Sequence, residues 1–250
     1  MHNLVIDIGN TRSKLAVFEE KELLYYQSVQ QPEKQLIYSL ISEFEISHSI
    51  VSNVTGQYTG LTTILKEKTD HVEFSTGNNT GIKNQYKSSA TLGLDRWANV
   101  IAAHQLFSGR NCFVIDSGTC ITYDLLNSEA EYFGGSISPG IQMRFAALNH
   151  YTGKLPLVNW DREEEIPEGT DTQTAIQSGV LFGVLNEIKG FIAGQDKRNN
   201  NLQVVLTGGD AGFLWKQLKN SIFAPQIIYD PYLVLKGLNE VIAFEYVKKS

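Results

Sequence analysis

Two stretches of the chain share one pattern of apolar and small polar residues and stop at the same kind of turn. Residues 4–11 read LVIDIGNT, and residues 113–119 read FVIDSGT. Each is an apolar run ending in an aspartate, Asp7 or Asp116, then a turn of small residues, then a second β-rich run, Lys14–Phe18 or Ile121–Leu125. A short apolar run bounded by turn residues has the character of a buried strand. Two such units predict either an internal duplication or two unrelated buried strands with similar turns. The coincidence of both the aspartate and the glycine favours duplication.

The rest of the pattern fits two α/β units. After a hairpin around Glu19–Glu22, a strand is predicted over Leu23–Ser28 and a helix near Pro32–Phe44, with Leu36, Ile37, Leu40, Ile41 and Phe44 at helical spacing and Pro32 suited to the first turn. A strand at Ser49–Val54, a helix at Tyr58–Glu67 and a strand at His71–Ser75 follow. Residues 76–93 are polar and turn-rich, hence a loop, and Leu94–Phe107 reads as a helix with Gly109 beyond its end. The second unit opens with three strands at 112–116, 119–126 and 131–137, then a short helix at Gly140–Asn149. Residues 150–170 are irregular, and their charge run Asp161–Glu165 is expected to be a solvated face, although a loop this long often serves as lid, interface or binding segment. A long helix at Thr172–Ala193, a strand at Gln203–Leu206, a helix at Ala211–Lys219, a strand at Gln226–Ile228 and a helix at Tyr232–Tyr246 complete the chain. The expected class is α/β, a mixed sheet flanked by helices made twice, with domains at 1–110 and 111–250.

Composition narrows the function classes. The 250 residues are 42% hydrophobic, 19% charged and 10% aromatic, which excludes a disordered or fibrous chain. With 27 acidic against 21 basic residues, the net charge of −6 argues against a general nucleic-acid binder. Cys112 and Cys120 form no CxxC and no Cys/His cluster, so neither a disulfide scaffold nor a zinc site is expected. The N-terminus carries no secretory pattern and no run reaches membrane-spanning length, so a cytoplasmic protein without a membrane partner is expected.

The chemistry gathers at the turns. Gly9, directly after a strand, lets the backbone present amides to a phosphate, and Thr11 adds a hydroxyl. Asp7 is suited to hold a water on Mg²⁺, and Arg12 or Lys14 to neutralise phosphate. The same residues also suit a plain hairpin turn. Neither GxxxxGK[ST] nor GxGxxG occurs. Asp116-Ser117-Gly118-Thr119 repeats the design, and two such loops would grip the β- and γ-phosphates from both sides. Thr207-Gly208-Gly209 is a third turn, either structural or suited to adenosine. Asp95, in Gly93-Leu94-Asp95-Arg96 at a loop-to-helix junction, is either a first-turn acid stabilised by the helix dipole or a general base aimed at a substrate hydroxyl. Arg96 beside it suits a carboxylate or phosphate.

Five motifs in register resemble a type III pantothenate kinase: IDIGNT (6–11), Tyr86 with GLDR (93–96), IDSGT (115–119), GGSISPG (134–140) and TDTQTAIQSG (170–179). That family belongs to the acetate and sugar kinase, heat-shock protein and actin superfamily. The resemblance implies two duplicated ribonuclease H-like (actin-like ATPase) domains, each a mixed five-stranded sheet flanked by helices. It implies ATP-dependent phosphorylation of pantothenate to 4′-phosphopantothenate, the first step of coenzyme A biosynthesis. Carried onto this chain, it makes Asp95 the base and places Tyr86, Gly93, Leu94, Asp95, Arg96 and Thr172 against pantothenate. Asp7, Ile8, Gly9, Asn10, Thr11, Arg12, Ser13, Lys14 and Thr119 would contact ATP, with Mg²⁺ held through water, and Asp116 a monovalent cation, K⁺ or NH₄⁺. A homodimer is implied as well. The sequence departs from the common family pattern at Arg12, Ala16 and Cys120. Two alternatives stand beside this reading: a superfamily kinase acting on another small hydroxyl compound, and a non-catalytic ATP-binding regulatory protein. A carboxylate at position 95 separates the last from the others.

Overall fold

A computed structural model describes residues 1–53 and 59–246. The chain forms two compact units. Unit 1 comprises Met1–Ser108, Ala130–Phe133 and the chain from Tyr232; unit 2 comprises Gly109–Glu129 and Gly134–Pro231.

Unit 1 is built on β1 (His2–Ile8), β2 (Ser13–Glu19), β3 (Glu22–Val29), β4 (Ile46–Asn53) and β5 (Asp70–Glu73), in the order β3-β2-β1-β4-β5. β1 is antiparallel to β2 and parallel to β4, which is parallel to β5. The strand pleat sorts β1 into two faces. Leu4, Ile6 and Ile8 join Leu15 and Val17 in a core covered by α1 (Lys34–Glu43) and α2 (Thr59–Lys68). The odd positions turn the other way: buried Asn3 donates to Asn239 on α7 (Leu233–Tyr246) at 2.9 Å, and Asn239 donates to Glu20 O. Asp7 shares that second face, where α3 (Leu94–Leu106) packs with α7.

The crossing of these two helices is close. A Cβ on Gly237 would stand 1.9 Å from Ala98 O. Gly237→Ala is therefore expected to force α7 off α3 at a cost of about 3 kcal/mol, read in calorimetry as a Tm lowered by roughly 5–10 °C. An unchanged Tm would remove this crossing as a determinant of stability.

In the second sheet, β7 (Cys112–Ser117), β8 (Cys120–Leu126), β9 (Glu131–Pro139), β10 (Gln203–Thr207) and β11 (Ile227–Tyr229) run in the order β9-β8-β7-β10-β11, the strand order of the first sheet repeated. Again the first two strands are antiparallel and the first and fourth parallel. Phe113 and Ile115 face a core supplied by α4 (Ile141–His150), α5 (Thr172–Asp196) and α6 (Ala211–Leu218), with Val180, Val184, Ile188 and Ile192 forming the buried stripe of α5.

Several boundaries differ from the sequence reading. Pro32 precedes the first turn of α1, whose N-cap is Glu33. β4 begins at Ile46, three residues before the expected start, where Ile46 pairs with His2 and His48 with Asn3 on β1. Within the expected loop 76–93, β6 (Lys83–Asn84) pairs in parallel with Glu131 and Tyr132 and adds a sixth strand to the second sheet. Val54 and Tyr58, expected as strand end and helix start, lie outside the described residues. Among the described residues, no helix is long and apolar enough to cross a membrane.

Candidate active site

In unit 1, the β1–β2 connection is a tight turn closed by Gly9 N donating to Arg12 O at 3.2 Å. A side chain on Gly9 would press on that carbonyl, its Cβ 3.1 Å away. Asn10, Thr11 and Arg12 stand exposed at the tip, and the Arg12 guanidinium donates to Ser28 O at 3.3 Å. Buried Asp7 faces Lys14 directly across the antiparallel pair, so carboxylate and ammonium share the face packed by α3 and α7. Ser13 is buried beneath the turn, and Ile8 belongs to the core on the opposite face.

The start of α3 holds the second group of unit 1. Gly93 is its N-cap, and Asp95 lies in the first turn with its carboxylate accepting from Arg96 N at 2.8 Å. A Cβ at Gly93 would fall 2.5 Å from Asp95 Oδ1, so this glycine is the space into which the carboxylate bends. Arg96 is buried, and its guanidinium sits 5.7 Å from the centre of the Tyr86 ring, a cation–π contact. Tyr86 stacks on Tyr132, which also meets Trp97 on α3. The short strand β6 makes this possible: Gln85 N donates to Tyr132 O at 2.8 Å, and Asn84 Oδ1 accepts from Tyr86 N at 3.0 Å. Tyr132 and Trp97 were not identified from the sequence as site residues; their signal is aromatic and indistinguishable from core.

Unit 2 assembles two turns around one loop. Gly118 N donates to Cys120 O at 2.9 Å within the loop Asp116–Thr119. Gly140 N donates to Thr119 O at 3.1 Å, and a Cβ on Gly140 would stand 2.2 Å from Gly118 O. From the other side, Asp210 N donates to Ser117 O at 2.9 Å. Gly208, at φ +97°, passes so close that a Cβ there would lie 2.4 Å from both Asp116 Oδ1 and Ser117 O. The Gly140 turn is fixed by Arg144, which donates to Pro139 O, Ser138 Oγ and Glu187 Oε2 at 2.9, 2.8 and 2.6 Å. Glu187 also accepts from Tyr123 OH; burial raises its pKa, but the bonds from Arg144, Tyr123 and Ser138 outweigh this and hold it below the usual range.

The 161–165 charge run is exposed as expected, with one correction. Arg162 Nε donates to Asp210 Oδ1 at 2.6 Å, and Asp210 is buried. Burial pushes the Asp210 carboxyl up, against the opposing pull of Arg162. Thr172 is exposed at the first position of α5, in unit 2, behind an Asp171 N-cap that forms a capping box with Thr174. Unit 1 thus brings together Tyr86, Gly93, Leu94, Asp95 and Arg96, and separately the residues from Asp7 to Lys14. Unit 2 brings together Asp116 and Thr119.

The donor sets suit phosphate chemistry. Among the described residues, no group of three or more His, Cys, Asp or Glu gathers to hold a metal. Mg²⁺ in phosphotransferases takes one or two carboxylates plus water and substrate phosphates, and Asp7 fits that demand.

The chain is similar to known proteins in both sequence and fold. The sequence profile of the type III pantothenate kinases matches residues 3–194. A type III pantothenate kinase of Phocaeicola vulgatus is 38% identical over 97% of this chain and 98% of that relative. One from Bacteroides fragilis is 39% identical, with the same coverages. Among solved structures, a Campylobacter jejuni chain described as a Baf family transcriptional activator aligns with a TM-score of 0.62 at 22% identity, over 97% of this chain and 98% of that one. The ethanolamine utilization protein EutJ from Carboxydothermus hydrogenoformans aligns at 0.53 and 12% identity, over 96% and 90%. These two carry the fold alone, whereas the profile and the curated relatives carry the family across nearly the full length. With its doubled strand order, its two Asp-turn loops and its GLDR segment, the chain belongs to the type III pantothenate kinase family.

Proposed function

We infer that the chain transfers the γ-phosphoryl group of ATP to the hydroxyl of pantothenate, forming 4′-phosphopantothenate, the entry step of coenzyme A biosynthesis, with Asp95 as general base. The observation that carries this reading is the half-buried Asp95 carboxylate, bent over Gly93 in the first turn of α3 next to buried Arg96 and Tyr86. Arg96, Tyr86, Gly93, Leu94 and Thr172 orient pantothenate, the arginine pairing with its carboxylate. Asp7 to Lys14 and Thr119 contact the triphosphate. As the new bond from the pantothenate oxygen to phosphorus forms, Asp95 takes the hydroxyl proton and the bond to the ADP oxygen breaks. Asp7 would hold Mg²⁺ through water, and the ion would supply charge neutralisation at the phosphates. The repeated strand order supports a duplication with halves 1–110 and 111–250, the chain from Tyr232 packing back into the first unit. Exposed Phe182 on α5, Ile137 on β9 and Met143 on α4 support a homodimer.

The testing experiment is a coupled assay of ADP release with pantothenate against a panel of sugars. Turnover confined to pantothenate is expected; turnover with a sugar alone moves the chain to another substrate, and none at all favours a non-catalytic ATP binder. A monovalent cation at Asp116 adds one further expectation. Replacing K⁺ with Na⁺ should raise the KM for ATP about tenfold, the size of an ordinary coupling between two bound ligands. Asp116→Ala should abolish the difference between the two salts, and an enzyme indifferent to K⁺ would free Asp116 from this role.

A further inference from the structure

We propose that Arg162 and Asp210 form a clasp through which the 150–170 loop sets the second phosphate loop of unit 2, making both of them positioning residues for the nucleotide. The proposal rests on the assignment of Asp116–Thr119 to ATP.

Asp210 faces two ways. Its backbone N donates to Ser117 O at 2.9 Å, inside the phosphate loop, and its buried carboxylate accepts from Arg162 Nε at 2.6 Å. It occupies the N-cap position of α6, yet its side chain makes no capping bond to that helix. An aspartate at an N-cap ordinarily serves the helix; this one is committed to Arg162. The loop is anchored on α6 at two further points. Trp160 meets Phe213 edge-on at 4.8 Å between ring centres, and Glu163 pairs with Lys216. The Arg162 guanidinium also lies 5.7 Å from the Trp160 ring, which limits its swing. A long segment without regular structure is thus tied down where it neutralises a buried acid whose own amide holds the phosphate loop. Removing the arginine would leave that acid buried and uncompensated, and the turn would have to move to solvate it. The displacement would pass to Ser117 and to Gly208, which has no free space beside Asp116 and Ser117.

The test compares steady-state kinetics of Arg162→Ala, Arg162→Lys and the double variant Arg162→Ala/Asp210→Asn. Arg162→Ala should raise the KM for ATP about tenfold while kcat and the KM for pantothenate change less than about threefold. The double variant, with no charge left to bury, should bring the ATP KM back to within about threefold of wild type. Arg162→Lys should keep most of the affinity. An unchanged ATP KM in Arg162→Ala, equal shifts for both substrates, or no recovery in the double variant would each overturn the clasp. If Arg162→Ala does not fold, the double variant decides: a near-wild-type ATP KM supports the clasp, and a raised one overturns it. Calorimetric titration of ATP into the wild-type protein separates the two levels. No binding there would remove the loop assignment itself, whereas binding together with an indifferent Arg162→Ala would remove the clasp alone.

Discussion

Asp95→Asn is expected to lower kcat about 10³-fold while the affinity for ATP stays within about twofold of wild type. The substitution keeps the shape of the side chain and a carbonyl oxygen to accept from Arg96 N, so the first turn of α3 has no reason to change. What it removes is the capacity to take a proton from the acceptor hydroxyl. In phosphoryl transfer that proton leaves late, so the base contributes less than positioning does, yet it still contributes orders of magnitude. Coupled ADP release gives kcat, and calorimetric titration gives ATP affinity. A variant with near-wild-type turnover would return Asp95 to its other reading, a first-turn acid that complements the helix dipole. Loss of ATP binding together with activity would point instead to a damaged unit.

Particular residues explain how much of this was legible in the sequence. The strands around Asp7 and Asp116 announce themselves because apolar runs flanked by Gly turns carry both period and punctuation, and the repeated topology β3-β2-β1-β4-β5 and β9-β8-β7-β10-β11 agrees with the repeated motif. The early residues of β4, 46–48, did not, because they are held by partners distant in the chain: Ile46 pairs with His2 and His48 with Asn3 across the parallel ladder. β6 was hidden for a different reason. Lys83 and Asn84 have no strand character of their own; they pair because Glu131 and Tyr132 lie alongside them, and a partner in space leaves no trace in local pattern.

The site divides along the same line. Gly93, Asp95 and Arg96 lie together in the chain and could be read as a unit. Arg162 and Asp210 could not, since one sits in a charge run that looks solvated and the other after a glycine pair that looks like a turn. Their pairing is decided by burial, which follows from the packing of α6 and cannot be read from either segment alone. Arg144 is similar: as a helix residue it looks like ordinary surface, and its role in holding Pro139 and Ser138 emerges once α4 folds back on the end of β9.

Gly208→Ala is expected to raise the KM for ATP by at least about thirtyfold and to lower stability by about 2–3 kcal/mol. Two costs fall at one atom. The backbone at φ +97° is a conformation that a side chain disfavours, and the new Cβ would lie 2.4 Å from Asp116 Oδ1 and from Ser117 O. Neither neighbour can yield cheaply. Ser117 O is held by Asp210 N, and Asp116 is paired in register with Thr207 on one side and Thr122 on the other. The strain therefore goes into the loop assigned to the phosphates rather than into a flexible side chain. Gly209→Ala supplies the control for stability, because a Cβ there meets nothing within 4 Å and its φ is not in the left-handed range, so its Tm should stay within about 1 °C of wild type. Thermal melts and ATP titrations on the two variants read both effects. If Gly208→Ala loses stability but keeps its ATP affinity, the turn is a structural brace and Asp116–Thr119 loses its link to the nucleotide. If affinity falls with little loss of stability, the close approach of Gly208 to Asp116 serves the phosphate loop before it serves the fold.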